Sequence, residues 1–405
     1  MFSRFVWLVL VLLFLASFFN YFDRQTLSVL KTTLKHELHI DDAGYALLVN
    51  IFTGCYALAY MFSGWIVDKL GSRKSLTIFI SLWSIVTAGC GFAHKFWHFA
   101  FFRGMMGLVE PGLHPVTIRA ATMWVADRNR GLFMALAALG STAATVISVP
   151  IIAWLTTTFH WRLSFILPGF LGIGVAVLWW FCYREPKVIE QDETTALNEG
   201  RNVEPPLTVL QLIRNRNLWG ILLSRMLGDP VLYFCVFWMP GYLQESKGIS
   251  LTELGQFGWI PFFSGTVGGL VFTAMSDKAA SMRGFDGRRF LATIAALFGP
   301  IAILIPGSNS IALTILLFCM VNIIYNCWMG SLAPIISEIF PVGNVGTIWG
   351  LAGAFGATGA IIFNLVIGHA ANLLGAGTLF IIMGCLHPSA AIVLNTMVRP
   401  KHKHA

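Results

Sequence analysis

The feature that most constrains this chain is the recurrence of apolar runs of about twenty residues along its whole length. They fall near residues 5–29, 44–67, 75–93, 97–123, 131–156 and 161–183, then near 217–243, 254–276, 289–306, 310–333, 345–370 and 374–397. Twenty helical residues rise about 30 Å, the thickness of a bilayer's hydrocarbon core. In lipid, backbone polar groups must be satisfied without water, so runs of this length read as transmembrane helices. Charged residues are 11% of the 405-residue chain and hydrophobic residues 56%. A soluble domain carries about a quarter charged residues, so a soluble fold is excluded. The first run continues into Asp23 and Arg24 without a cleavage site and reads as a membrane helix, not a leader.

The formal net charge is +8, but the charges are sorted by loop. Basic residues gather at alternate loops: Lys69, Arg73 and Lys74; Arg128 and Arg130; the segment from Arg184 to Arg216; Lys278, Arg283, Arg288 and Arg289; and Arg399, Lys401 and Lys403. The intervening loops hold Lys31, Lys35, Lys95, Arg162 and Lys247. The positive-inside rule therefore predicts that both chain ends and the long middle loop are cytoplasmic. The basicity is a topology signal, and no nucleic-acid partner is expected. The polar stretch 184–216 reads as a cytoplasmic linker between two six-helix bundles, 1–183 and 217–398, with 399–405 as a tail.

The two halves echo each other. Gly64–Lys74 reads GWIVDKLGSRK, and Thr273–Arg289, TAMSDKAASMRGFDGRR, is a weaker copy. A repeat of this kind states an architecture of two bundles around a central path. In these loops Asp68, Lys69, Arg73 and Lys74, with Asp277 and Lys278 in the copy, are expected to gate one end of that path. Asp68 would bond helix ends, and the basic residues would bridge the halves when that end is shut. Such contacts must be individually modest, or the gate would not reopen.

An ionisable residue inside a span costs at least about 2.5–3.5 kcal/mol and asks for an explanation. Asp23 and Arg24 lie late in the first run. Neighbours on a helix point about 100° apart, so the two need not pair. Arg24 can meet an anion while Asp23 carries a proton or holds Arg24; alternatively both snorkel to the interface. In FRGMMGLVEPG of the fourth run, Arg103 and Glu110 stand two helical turns apart on one face. That spacing suits one group for binding an anion and the other for titrating, or both for clamping neighbouring helices. His114 continues the face as a member of a proton path or as plain packing. Arg225 and Asp229 in the seventh run are i, i+4 and can bridge on one face, either neutralising each other or releasing the arginine to a carboxylate.

Tyr56, Tyr60, Tyr233, Trp238, Asn322, Tyr325, Asn326 and Trp328 complete the polar and aromatic inventory of the spans. Such side chains suit a sugar's hydroxyls and apolar face, and they also anchor helices at interfaces. Tyr56 and Asn326 are the preferred ligand candidates. Pro111, Pro115, Pro150, Pro230 and Pro240, and Gly350, Gly353, Gly356 and Gly359, interrupt the spans for close packing, for rocking, or for both. The seven cysteines contain no Cys-x-x-Cys pair, so neither a disulfide framework nor a metal site is expected.

The DKLGSRK loop and its copy, the Arg-x-x-x-Gly-x-x-Glu spacing of the fourth span and FHWRLSFILPG before the sixth resemble the major facilitator superfamily, over essentially the whole chain. NYFDRQTLSVL and RNLWGILLSRMLGDPVLYFCVFWMPGYL resemble its anion:cation symporter branch, and within it the bacterial hexuronate transporters. The resemblance implies an all-α membrane protein with the major facilitator fold, twelve transmembrane helices in two six-helix halves. It implies proton-coupled uptake of a sugar-acid anion, galacturonate or glucuronate, by alternating access in a bacterial inner membrane. On matching positions Asp23 and Glu110 become proton carriers, Arg24 and Arg103 substrate or coupling residues, Tyr56 and Asn326 cavity residues, and Arg225 and Asp229 the helix 7 pair. Leu232 departs from the branch, which has Trp there, and Thr273 replaces the first glycine of the second loop motif.

The alternatives are a symporter for another organic anion (an aldonate, aldarate or aromatic carboxylate) and, further off, an exporter. LGSTAATVISVP in the fifth span lacks the Gly-rich Gly-Pro run associated with antiporters. A membrane enzyme is not expected, because the chain has no metal-ligand cluster, nucleophile elbow or nucleotide loop. The expected partners are a small carboxylate and membrane lipid, the coupling ion is the proton, no cofactor is needed, and a single chain is expected to suffice.

Overall fold

The structure, a computed structural model, describes residues 2–185 and 207–400; the side chains of 127, 128, 342, 343 and 369–376 stand outside that description. Most of the expected linker, with Lys187 and Arg201, the side chain of Arg128, and the tail with Lys401 and Lys403 therefore lie outside the described residues.

The described chain is helical. Helix α1 is Arg4–Val29, α2 Lys31–Glu37 and α3 Asp42–Gly91, followed by α4 Phe96–Val109, a 3-10 turn Glu110–Gly112, and α5 Leu113–Trp124. Then come α6 Asp127–Thr158 and α7 Leu163–Cys182. The second half has α8 Val209–Arg214, α9 Arg216–Phe237, α10 Met239–Lys247, α11 Leu251–Phe257 and α12 Ile260–Leu297. A 3-10 turn Gly299–Leu304, α13 Ile311–Ile339 and α14 Val342–Met397 complete it. The short α8 lies inside the segment expected to be plain linker.

Nine stretches among the described residues are long and apolar enough to cross a membrane. Two of them are helix pairs run together. At 1.5 Å per residue the fifty residues of α3 would reach about 75 Å, far beyond one bilayer. The turn is made at Gly71, whose φ of 79° a side chain would resist, and α12 turns likewise at Gly284, φ 58°. The α4–α5 unit, interrupted by its 3-10 turn, supplies one further crossing. The count is twelve, and an even number returns the chain to its starting side.

Three apolar cores show how the halves meet. One lies at the chain-end side of the first half and joins Val6, Val67, Phe79, Phe133 and Trp179. A second, at the same side of the second half, joins Leu218, Ala292, Leu332, Ile348 and Leu394. The third lies on the far side and takes residues of both halves, among them Leu30, Val49, Trp161, Phe237, Phe262 and Phe380. Leu232, in the place of the expected Trp, packs against this shared core. The bundles are thus joined at the far side and carry separate cores at the side of the chain ends.

Candidate functional site: paired charges in the transmembrane interior

The first charged group joins α1 to the 3-10 turn that follows α4. Arg24 donates from Nε to Glu110 Oε2 at 2.9 Å, and its Nη2 lies 2.8 Å from the same oxygen. The guanidinium sits over the rings of Tyr56, Tyr21 and Phe52, at 4.6, 4.9 and 5.2 Å. The local cause is the Glu-Pro-Gly sequence. Pro111 has no N–H to continue the helix, so the backbone tightens into a 3-10 turn starting at Glu110. Gly112 is needed because any Cβ there would collide with the Phe79 ring. Asn20 Nδ2 reaches the Glu110 carbonyl at 3.5 Å. Glu110 is 1% exposed, and its Oε1 has no hydrogen-bond partner among the described residues.

The expected separation of Asp23 from Arg24 is seen, with different partners from those anticipated. Asp23, also buried, accepts a 2.7 Å hydrogen bond from Thr87 on the second arm of α3. Arg24 is held by Glu110 and not by Asp23. Arg103 is fully buried. It lies over Phe52 at 4.6 Å and donates to Met106 Sδ at 3.2 Å, while Nε and Nη2 have no partner among the described residues. Arg103 and Glu110 thus share a span, but the carboxylate has been taken by another helix.

The second group lies in α9. Arg225 and Asp229 bridge as the i, i+4 spacing predicts, with Nε at 2.9 and 2.8 Å from the two carboxylate oxygens and Nη2 at 2.7 Å. Asp229 rests on the backbone of α14 at Gly356, where any Cβ would collide with its carboxylate. Gly359 likewise admits the Met226 carbonyl. These two glycines serve close packing, whereas Gly353 faces open space.

Asn326 is not brought to either pair by a described contact. Its amide donates to the Asn322 carbonyl at 2.8 Å and lies beside Gly265 and Gly269 of α12. Trp238 belongs to neither pair: its Nε1 donates to Asn364 at 3.0 Å in the far-side junction. Trp328 and Tyr325 are buried beside His387.

That junction is what the residue pattern missed. Lys31 crosses from the first half to Glu245 of the second at 2.9 Å, and Lys35 reaches the same carboxylate at 3.2 Å. Both lysines also bridge Asp42 at 2.9 Å. Lys31 lies over Trp238 and passes α10 at Gly241, where a Cβ would strike its chain. Tyr45 donates to the Phe237 carbonyl at 2.8 Å, and Asn364 donates to Asn50 at 3.1 Å. The signal was available: an i, i+4 lysine pair on the side poor in basic residues.

At the opposite side each described ion pair stays within its own half. Asp68 meets Arg119 at 3.4 Å, and Asp277 meets Arg288 at 2.8 Å, with Glu338 beyond it at 3.0 Å. Arg73 donates to Glu185 and to the Trp180 carbonyl, and Lys69 lies over Trp65. Lys74 and Lys278 are in the same loops. Thr273, in place of a glycine, fits because Gly330 stands opposite it on α13. Among the described residues no group of three or more metal-ligating side chains occurs, and the seven cysteines are unpaired.

Twelve membrane crossings, a two-bundle plan closed at one side and paired charges between lipid-facing walls define an integral membrane transporter. The family model of the Major Facilitator Superfamily matches residues 13–364, and the chain belongs to that family. It is 24% identical to the hexuronate transporter of Escherichia coli K12, over 98% of this chain and 94% of that one. It is 29% identical to the probable L-galactonate transporter of the same strain, over 96% and 88%. Among solved structures it is similar to the inward-open xylose transporter XylE from E. coli, with TM-score 0.76, 14% identity and 99% and 98% coverage. A bacterial Spinster homologue, inward-facing and unoccupied, gives 0.74 at 16% identity, with 98% and 96% coverage. The family is one of transporters and not of enzymes.

Proposed function

We propose that this chain imports a sugar-acid monoanion, a hexuronate such as galacturonate or glucuronate, together with a proton, by alternating access. The observation that carries the reading is the Arg24–Glu110 pair, made between two helices and almost sealed from water. An anion can take Arg24 only if Glu110 gives it up, and a buried carboxylate gives up its partner readily only when protonated. Oε1, which has no partner, is where that proton would sit.

Charge balance supports the same coupling. The two ion pairs together with buried Arg103 and Asp23 hold three guanidinium groups (Arg24, Arg103, Arg225) and three carboxyl groups (Asp23, Glu110, Asp229). A monoanion adds one negative charge and one proton restores neutrality, which spares the occluded state an uncompensated buried charge. Asp23, hydrogen-bonded to Thr87, is the second candidate carrier, and Arg103 is the reserve cation of the first half. Tyr56, beneath Arg24, offers its ring to the sugar, and Asn326 is held as a wall residue of the second half.

The basic loops beside the chain ends support a cytoplasmic position for both termini in a bacterial inner membrane. The described junction is then closed outside, with the halves unlatched on the cytoplasmic side. In the outward-open state Asp68, Lys69, Arg73, Lys74, Asp277 and Lys278 would bridge the halves. A single chain suffices, without cofactor or metal, and the six-helix boundaries are 1–183 and 217–398.

A second reading, an aldonate as substrate, is favoured by the relative named a probable L-galactonate transporter; its single carboxylate makes the same demand on Arg24. The test is uptake of labelled galacturonate, glucuronate and galactonate into proteoliposomes, with and without an inward proton gradient. Uphill, uncoupler-sensitive accumulation of a hexuronate is expected. Uphill uptake of galactonate alone would transfer the assignment to the second reading, and no gradient-driven uptake would overturn the coupling.

A further inference from the structure

The first membrane helix of each half breaks once, near its far-side end. Helix α1 stops at Val29 and α2 resumes at Lys31; α9 stops at Phe237 and α10 resumes at Met239. A helix end leaves its last carbonyls without the N–H four residues on. In α1 the Thr26 carbonyl still accepts from the Leu30 N–H, and in α9 the Phe234 carbonyl accepts from Trp238. The carbonyls of Leu27, Val29 and Phe237 lie past those last turns. All three residues are buried in the shared far-side core, away from bulk water.

The missing donors come from the opposite half. Tyr45, fully buried on α3 of the first half, donates its hydroxyl to the Phe237 carbonyl at 2.8 Å. The same hydroxyl lies 3.5 Å from the Leu27 carbonyl, so one phenol touches both broken ends. Gln244, on α10 of the second half, donates from Nε2 to the Val29 carbonyl at 3.1 Å. The first half thus caps the end of α9, and the second half caps the end of α1. The Lys31–Glu245 pair joins the same segments, but Glu245 is partly exposed and such pairs contribute little. A buried carbonyl deprived of its donor is the costlier loss.

We propose that Tyr45 and Gln244 are the positioning residues of the far-side gate, which complete the broken ends of α1 and α9 only while the halves are closed there. Closure is then set chiefly by these two caps, and the ion pairs are secondary. Parting the halves removes both caps together and admits water, which takes over the carbonyls and keeps the gate reversible. The proposal rests on the alternating-access reading above.

The test is amide hydrogen exchange of the full chain in detergent, read by mass spectrometry, for the parent, Tyr45→Phe, Gln244→Leu and Gly368→Trp. Exchange of protected amides follows the open population. Tyr45→Phe keeps the ring and removes the donor. It is expected to raise exchange about tenfold in α2 and α10, and by the same factor at the separate α6–α11 seam. That seam, where Ala153 closes on Gly255, opens only when the halves part. Gln244→Leu, at a half-buried position, is expected to raise exchange at all three places about threefold. Gly368→Trp wedges α14 away from Ala43 and Ala46 of α3, and so opens the far side without removing either cap. A rise confined to α2 and α10 in Tyr45→Phe and Gln244→Leu would reduce the caps to local packing and overturn the proposal. No rise in either variant would overturn it as well. Parent-like exchange at all three places in Gly368→Trp would instead remove the alternating-access reading on which the gate stands.

Discussion

The two halves both hold an arginine–carboxylate pair in the membrane interior, and they build it differently. In the first half Arg24 comes from α1, and Glu110, 86 residues on, from the 3-10 turn that follows α4. In the second, Arg225 and Asp229 are four residues apart on α9. A pair made between helices changes length when the helices shift, so its strength is coupled to conformation. A pair within one helical turn moves as a unit and is indifferent to such shifts of helices within its bundle. The first half is therefore suited to coupling, and the second to presenting a fixed charge pattern. The close fit of Asp229 on Gly356 reinforces this, because it ties α9 to α14 and leaves the carboxylate no room to swing.

The largest effect is expected from removing one cation. Arg24→Ala leaves Glu110 buried and alone, which costs about 3–5 kcal/mol of stability and abolishes transport. The melting temperature in detergent measures the first effect and counterflow the second. Stability recovered in the Arg24→Ala/Glu110→Ala double variant, without recovery of transport, would separate the charge penalty from function. Next in size is Asp229→Asn, which keeps the shape and one acceptor. A loss of about 1.5–3 kcal/mol is expected, with proton-driven accumulation retained; loss of coupling would erase the proposed division between the halves.

Gly356→Ala should cost about 1–3 kcal/mol, since it forces Asp229 away from α14, and it should raise the substrate KM without altering the response to a proton gradient. The smallest effect is expected at the far-side junction. Glu245 is partly exposed, so Glu245→Gln should weaken closure by about 0–1 kcal/mol. That amounts to an increase of up to about fivefold in the far-side-open population, read by mass spectrometry as faster alkylation of Cys235, which is buried in the shared core. The part of Lys35 in this closure should not respond to pH in the working range. Burial disfavours the charge on Lys35, but the hydrogen bond and charge of Asp42, followed by Glu245, outweigh it and hold its pKa above the ordinary lysine value. Its contribution is present below the ordinary value of about 10.4 and lost as pH rises through the raised one.

The fold was legible because lipid leaves few choices. Apolar length, alternating basic loops and the Asp-Lys repeat all point to twelve crossings in two halves. The ionisable residues were legible for the same reason, since Asp23, Arg24, Arg103, Glu110, Arg225 and Asp229 stand out where charge is expensive. Partner choice was less legible. Helical spacing identified Arg225–Asp229, because that pair lies within one helix. It suggested Arg103 as the face-mate of Glu110, but Pro111 and Gly112 tighten the backbone at that point, and the carboxylate meets Arg24 from another helix. The Lys31–Glu245 junction joins residues 214 apart, a distance that periodicity does not bridge.

Glu110→Gln and Asp229→Asn, measured side by side in proteoliposomes for galacturonate counterflow and for accumulation driven by a proton gradient, test the coupling role of Glu110 directly. A coupling role for Glu110 predicts that Glu110→Gln keeps counterflow and loses accumulation, while Asp229→Asn keeps both. Full gradient-driven accumulation by Glu110→Gln would contradict it.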